Sequence, residues 1–229
     1  MILKLNVLLK KGGTEVKIKV SDYKFGIFDL DGTLLDSKRL VRKIVAEKMY
    51  KNLVSRKNQE DPYGRLFPAW FWRKGTKDFF SLVERKILEL IDILDCRVQL
   101  FTGVYETLVK LRAGGVKLFA STSSINGKKR LQKAGIDDFF EEIIGADLMP
   151  KKHHIPYIAI TSGIPLRKFS KQAFLVGDGP YDLFLAQKYG VYGIGITNTL
   201  PPDVLFRVGA KEVISNLREL IKAPFSFFT

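Results

Sequence analysis

Apolar positions alternate over the first 20 residues: Leu3, Leu5, Val7 and Leu9, then Val16, Ile18 and Val20 beyond Lys10-Lys11-Gly12-Gly13. Period-two spacing on both sides of a Gly-Gly turn predicts a β-hairpin over residues 1–22 with one buried face. A compact apolar run, Tyr23 to Phe28, predicts a strand. It stops abruptly at Asp29 and Asp31, which are followed by Gly32 and Thr33. After Ser37 the period changes: Leu40, Val41, Ile44, Val45 and Met49 fall at helical spacing, as do Phe79, Val83, Ile87, Leu90, Ile91 and Leu94. The stretch between these helices is loop-like and carries Phe67, Trp70, Phe71 and Trp72. Residues 37–98 therefore read as an all-helical unit.

From residue 104 helices and strands take turns. Helices are predicted over Val104–Ala113, around Lys128–Ala134, near Ile155–Thr161 and over Pro180–Tyr189. Strands are predicted over Val116–Ala120, near Ile143, and over Ala173–Gly177 and Val191–Ile196. Such alternation implies an α/β fold, a Rossmann-like parallel sheet with helices on both faces. The expected organisation is a core of residues 1–36 and 99–229, including the N-terminal hairpin, interrupted by a helical cap over 37–98.

In this architecture ligands gather at the carboxyl ends of the strands. Those ends carry Asp29 and Asp31, then Ser121, Thr122, Ser123 and Ser124, then Asp178 with Asp182 on the following turn; Lys151 and Lys152 precede that last strand. Like charges at ~4 Å repel by roughly 4 kcal/mol at an effective dielectric of about 20. Four converging carboxylates therefore call for a cation. Mg²⁺ suits oxygen ligands and keeps positions open for water and phosphate, and a lysine would balance the remainder.

"DLDGT" (29–33), a hydroxyl after an apolar strand ("LFAS", 118–121), a lysine at 151–152 and "GDGPYD" (177–182) occur in an order that resembles the haloacid dehalogenase-like hydrolases. The resemblance spans about residues 24 to 220, with 37–98 similar to the family's small helical cap. It implies Asp29 as nucleophile, forming an aspartyl-phosphate, and Asp31 as the group that protonates the leaving alcohol and then deprotonates water. Ser121 and either Lys151 or Lys152, with a slight preference for Lys152, would hold the phosphoryl oxygens. Gly32 and Thr33 would shape the turn at the phosphate site, and Thr122 and Ser123 would contact substrate. The implied Mg²⁺ ligands are Asp29, the Leu30 carbonyl, Asp31 and Asp178, with Asp182 as a further ligand or the partner of one. Two departures stand out: "PKKHHIP" replaces the family's usual Lys-Pro, and Gly179 replaces a common serine.

With 46% apolar and 12% aromatic residues, a disordered or fibrous chain is excluded. Cys96 is the only cysteine, so no internal disulfide can form, which fits a reducing compartment. No apolar run reaches the roughly 20 residues of a membrane span, and the first residues do not read as a signal peptide, so a cytoplasmic location is expected. The net charge of +14 is concentrated, with +4 over residues 1–24 and +7 over 37–98. That asymmetry suits a small phosphorylated substrate. Charge alone leaves a nucleic-acid partner open, but clustered carboxylates argue against it. His153 and His154 are neighbours, and neighbouring side chains diverge on a helix or a strand, so a joint metal site is poor geometry. The expected function is a Mg²⁺-dependent phosphatase. A sugar phosphomutase is the runner-up, a 2-haloacid dehalogenase is disfavoured by Asp31, and a non-catalytic nucleic-acid or protein binding module is the reading from a different class.

Overall fold

The structure, a computed structural model, describes residues 22–36 and 99–221. The predicted N-terminal hairpin, the helical unit over 37–98 with its aromatic cluster, and the C-terminal "PFSFF" lie outside the described residues.

Six parallel strands form one sheet: β1 (Phe25–Phe28), β2 (Lys117–Ser121), β3 (Glu142–Ile144), β4 (Ala173–Gly177), β5 (Tyr192–Ile196) and β6 (Glu212–Ile214). Their order is β3-β2-β1-β4-β5-β6, with β1 and β4 at the centre. All four residues of β1 and all five of β4 are buried, as a central parallel strand requires. The connecting helices are α1 (Val104–Ala113), α2 (Gly127–Lys133), α3 (His154–Thr161), α4 (Leu166–Ser170), α5 (Pro180–Tyr189) and α6 (Pro202–Arg207). Sequence alternation therefore predicts the architecture correctly. It does not predict α4, α6 or β6, which are six residues or fewer and fall below the length at which a period is readable.

Alternate strand residues feed two cores. Phe28, Leu118, Ala120, Phe174, Val176, Ile194 and Ile196 pack on one face with Val104, Leu108 and Leu111 of α1. Phe25, Ile27, Phe119, Ala173 and Leu175 pack on the other with Ile155 and Ile158 of α3 and Leu185 of α5. The period of two along each strand is what divides them. Phe174 ties the first core together, meeting Phe28 edge-on at 5.7 Å between ring centroids and Tyr23 at 5.8 Å.

The chain leaves the sheet after Asp36 and returns at Gln99. Asp36 N–H donates to the Gln99 carbonyl at 2.8 Å, Phe101 N–H donates to the Leu34 carbonyl at 3.0 Å, and Leu35 and Leu100 form an antiparallel bridge. Both ends of the 37–98 segment are thus anchored at one place, immediately beyond the carboxyl end of β1.

Phe174 is fully buried. Phe174→Ala should destabilise the protein by about 3–5 kcal/mol, read as a lower urea midpoint in equilibrium unfolding.

Candidate active site

The register of the sheet assembles the site. Phe28 pairs with Ala120 of β2 and with Val176 of β4, so Asp29, Ser121 and Gly177 stand level at the strand ends. Asp29 N–H donates to the Val176 carbonyl at 3.0 Å and extends the ladder by one residue. Asp29 has the parity of Ile27, and Ser121 that of Phe119, so both incline to the face covered by α3. Asp178 follows β4 directly, and Asp182 lies on the first turn of α5.

Residues 30–35 form a tight turn around one carbonyl. Leu30 O accepts from the amides of Thr33 at 3.2 Å, Leu34 at 2.9 Å and Leu35 at 2.9 Å. That carbonyl was an expected Mg²⁺ ligand. A carbonyl oxygen has two lone pairs, and three backbone donors already occupy them. Gly32 sits in the turn at φ 88°, and a Cβ there would collide with the Asp178 carboxylate. Left-handed backbone and close approach both demand glycine at this point. Thr33 is fully buried, and its Oγ1 has no hydrogen-bond partner among the described residues.

Lys151 supplies the central positive charge. Its Nζ lies 2.5 Å from Asp29 Oδ1 and 2.7 Å from Asp182 Oδ1, and all three side chains are at least nine-tenths buried. Lys152, which was slightly preferred, is exposed, and its backbone carbonyl accepts from the Tyr189 hydroxyl at 2.7 Å. The structure brings Lys151, not Lys152, to the acidic cluster. The two lysines occupy a short 3₁₀ turn, Lys151–His153, on which successive side chains diverge. Burial pushes the Asp29 carboxyl well above its ordinary range; Lys151 opposes that rise, while Asp182 and Asp178 add to it.

Four further residues join the site: three that the sequence pattern does not single out, and His154, which it weighed only as half of a joint metal site. Arg130 of α2 makes a two-pronged contact with Asp31, Nη1 to Oδ2 at 2.9 Å and Nη2 to Oδ1 at 2.6 Å. His154, fully buried at the start of α3, bonds Ser121 Oγ through Nδ1 at 2.8 Å and the Met149 carbonyl through Nε2 at 3.0 Å. Beyond β5, Asn198 Nδ2 donates to the Gly32 carbonyl at 2.7 Å, and the Thr199 hydroxyl donates to Asp178 Oδ2. The strand-end rule, applied to β5 as it was to the others, would have pointed to Asn198 and Thr199. The predicted histidine divergence agrees with the structure, since His153 is exposed and His154 buried. Thr122 Oγ1 accepts the Ser124 amide at 3.0 Å and so shapes its own loop, in which Ser123 is half-buried.

The donor set fits Mg²⁺. Asp29, Asp178 and Asp182 are buried carboxylates, with Lys151 as the cation against them. Among the described residues no three His, Cys, Asp or Glu side chains form a ready-made cage. Mg²⁺ does not need one: it is typically held by one or two carboxylates, with water and phosphate oxygens completing the octahedron. Asp29 and Asp178 would hold it.

A parallel sheet thus carries a buried aspartate at the end of its central strand, beside a buried lysine and two further acids. The chain belongs to the haloacid dehalogenase-like hydrolases, whose pattern matches residues 26–196. It is 27% identical over 172 residues to pyrophosphatase PpaX of Halalkalibacterium halodurans, covering 72% of this chain and 79% of that one. It is 29% identical over 136 residues to the phosphoglycolate phosphatase of Caulobacter vibrioides, covering 56% and 55%. Among solved structures, a hydrolase from Pseudomonas syringae superposes with a TM-score of 0.63 at 21% identity, covering 86% of this chain and 95% of that one. At that identity the likeness speaks for the fold alone.

Burial lowers the His154 pKa from 6.5 to about 4, helped by the charges of Lys151 and His153 and opposed by the Met149 hydrogen bond and Asp147. Between these values the unfolded chain binds a proton that the folded one refuses. Folding stability should thus fall as pH drops from 6.5 towards 4, by up to about 3 kcal/mol. Urea titrations across that range should show this loss in the wild type and most of it absent in His154→Leu.

Proposed function

We propose that the protein is a Mg²⁺-dependent phosphatase that hydrolyses a small phosphorylated metabolite through an aspartyl-phosphate on Asp29. The observation that carries this reading is the buried Asp29–Lys151–Asp182 arrangement at the end of the central strand. Relatives named pyrophosphatase and phosphoglycolate phosphatase support the phosphate chemistry.

Lys151 holds Asp29 Oδ1, which leaves Oδ2 to attack phosphorus while the bond to the leaving oxygen breaks. Asp31 gives that oxygen its proton and, in the second half, takes a proton from the water that attacks the aspartyl-phosphate. Orthophosphate leaves and the Asp29 carboxylate is restored. Ser121 and Lys151 contact the phosphoryl oxygens. Asp29 and Asp178 would hold Mg²⁺, which when bound would supply neutralising charge for the phosphoryl group. The 37–98 segment is proposed as a cap that closes over the site, its +7 charge drawing anions in. No helix among the described residues is long and apolar enough to cross a membrane. The lone Cys96, unable to pair within the chain, supports a proposed cytoplasmic location. A phosphomutase would use the same acids, and product analysis separates the two. A pure anion-binding module would gain nothing from buried carboxylates.

Turnover of an aryl phosphate should require Mg²⁺ and stop with EDTA. Asp29→Asn should abolish it, Asp31→Asn should lower kcat by roughly 10²–10⁴, and Lys152→Ala should leave it nearly unchanged where Lys151→Ala does not. Turnover by the Asp29→Asn variant at the wild-type rate would sink the covalent mechanism.

A dependence on metal should also be visible without turnover. Asp29 carries a raised pKa, so between its unfolded and folded values the folded state is the better proton binder, and its stability falls as pH rises. Mg²⁺ binds the ionised carboxylate. The rise in melting temperature on adding Mg²⁺ should therefore grow as pH rises.

A further inference from the structure

His154 is not accounted for by the hydrolytic scheme, yet it is fully buried and bonded at both ring nitrogens. Its partners fix the ring's tautomer. The Met149 carbonyl can only accept, so Nε2 carries the proton and donates to it. A neutral ring then has a bare Nδ1, which can only accept, and the Ser121 hydroxyl donates to it across 2.8 Å. With its one proton committed to His154, Ser121 Oγ offers only lone pairs to whatever lies beside Asp29.

We propose that His154 is a positioning residue that makes Ser121 a hydrogen-bond acceptor, so that the site selects the singly protonated phosphoryl group, whose P–OH donates to Ser121 Oγ. This rests on the proposed placement of the phosphoryl group between Ser121 and Asp29. A fully ionised phosphoryl group, like sulfate, has only acceptor oxygens and would face the Ser121 lone pairs without a proton between them. Burial makes that mismatch costly, because no water can enter to repair it.

The surroundings keep the ring neutral over the working range. The charged groups facing it are Lys151 and His153 from the preceding turn and Asp147 from the loop after β3. Burial, Lys151 and His153 outweigh Asp147 and the Met149 bond, and the ring takes up a proton only near pH 4. In "PKKHHIP" a histidine, three residues after Lys151, opens α3. Strand parity sets Ser121 on the α3 face, so His154 reaches the phosphoryl side of the site through a single contact.

The test is calorimetric binding of methylphosphonate and of sulfate to the full chain with Mg²⁺, at pH 5.5 and pH 8.5. Methylphosphonate carries a single P–OH at the lower pH and largely loses it across the range, whereas sulfate carries none at either. The wild type should bind methylphosphonate at least tenfold more tightly than sulfate at pH 5.5, and the preference should shrink to about twofold at pH 8.5. In His154→Leu the Ser121 proton is released, and the two anions should bind within about twofold at both pH values. His154→Asn, which can place an amide oxygen near the Nδ1 position, should recover part of the preference, and Ser121→Ala should lose it. Melting temperatures of each variant identify any that fail to fold, and Ser121→Ala carries the test if His154→Leu does.

Equal binding of the two anions by the wild type at pH 5.5 would overturn the proposal, as would a wild-type preference surviving in both His154→Leu and Ser121→Ala. Asp29-dependent turnover without discrimination would overturn this inference alone. Discrimination without turnover would overturn the phosphatase reading alone, and binding of neither anion would overturn both.

Discussion

The ammonium of Lys151 is the interaction on which the site depends. It lies between Asp29 and Asp182 at 2.5 and 2.7 Å, with all three side chains at least nine-tenths buried. Two carboxylates brought this close without a cation would repel by several kcal/mol. Removing one partner of a buried ionic cluster costs about 3–5 kcal/mol, because the uncompensated charge remains buried. Lys151 is supplied by the turn before α3, Asp182 by α5 and Asp29 by β1, so one ammonium joins three separate elements behind the catalytic face. Its charge balances only part of the cluster, since Asp178 is buried beside them. The residual negative charge is what makes the site receptive to a divalent cation.

Around that charge the backbone leaves little freedom. The Leu30 carbonyl gathers three amides, and this winds the chain tightly enough to turn Asp31 away from Asp29. Gly32 presses against the Asp178 carboxylate, whose Oδ2 also accepts from Thr199. The loop after β5 thus buttresses the loop after β4, and Asn198 fixes the far side of the Gly32 turn. Three neighbouring strands hold one another's loops in place. Such support keeps acids at working distance without relying on the metal to assemble them.

Asp29, Asp31, Asp178 and Asp182 were legible because each follows an apolar run at a strand end or opens the next helix, a local pattern tied to a general rule of parallel sheets. The sheet itself was legible for the same reason, apart from three-residue β6 and the short helices. What escaped depends on contacts between distant positions: Arg130 meets Asp31 across 99 residues, His154 meets Ser121 across 33, and Asn198 meets Gly32 across 166. An arginine in a basic helix such as "GKKRLQK" looks like one more solvated charge until its partner is known. The choice between Lys151 and Lys152 escaped for a finer reason. A one-residue step on a 3₁₀ turn rotates the side chain by about a third of a circle, enough to exchange buried for exposed. The amide partners of the Leu30 carbonyl are created by the turn and have no signature in the sequence.

Arg130 and His154 flank the two sides of the proposed phosphoryl site and contact it by opposite means. Arg130 occupies both oxygens of Asp31 in a planar fork, a geometry in which the carboxylate is well held but has no oxygen directed solely at a leaving group. For Asp31 to deliver a proton, at least one prong of that fork must give way. The fork is only partly sealed: the Asp31 side chain is 27% exposed, against 9% for Arg130. His154, in contrast, has no exposed edge and is bonded to Ser121 and Met149. In the proposed mechanism the phosphoryl-binding side is the enclosed one and the proton-transferring side the more open one. That division suits a two-step hydrolysis, in which one group must hold the phosphoryl oxygens through both steps while the other first gives a proton and then takes one back.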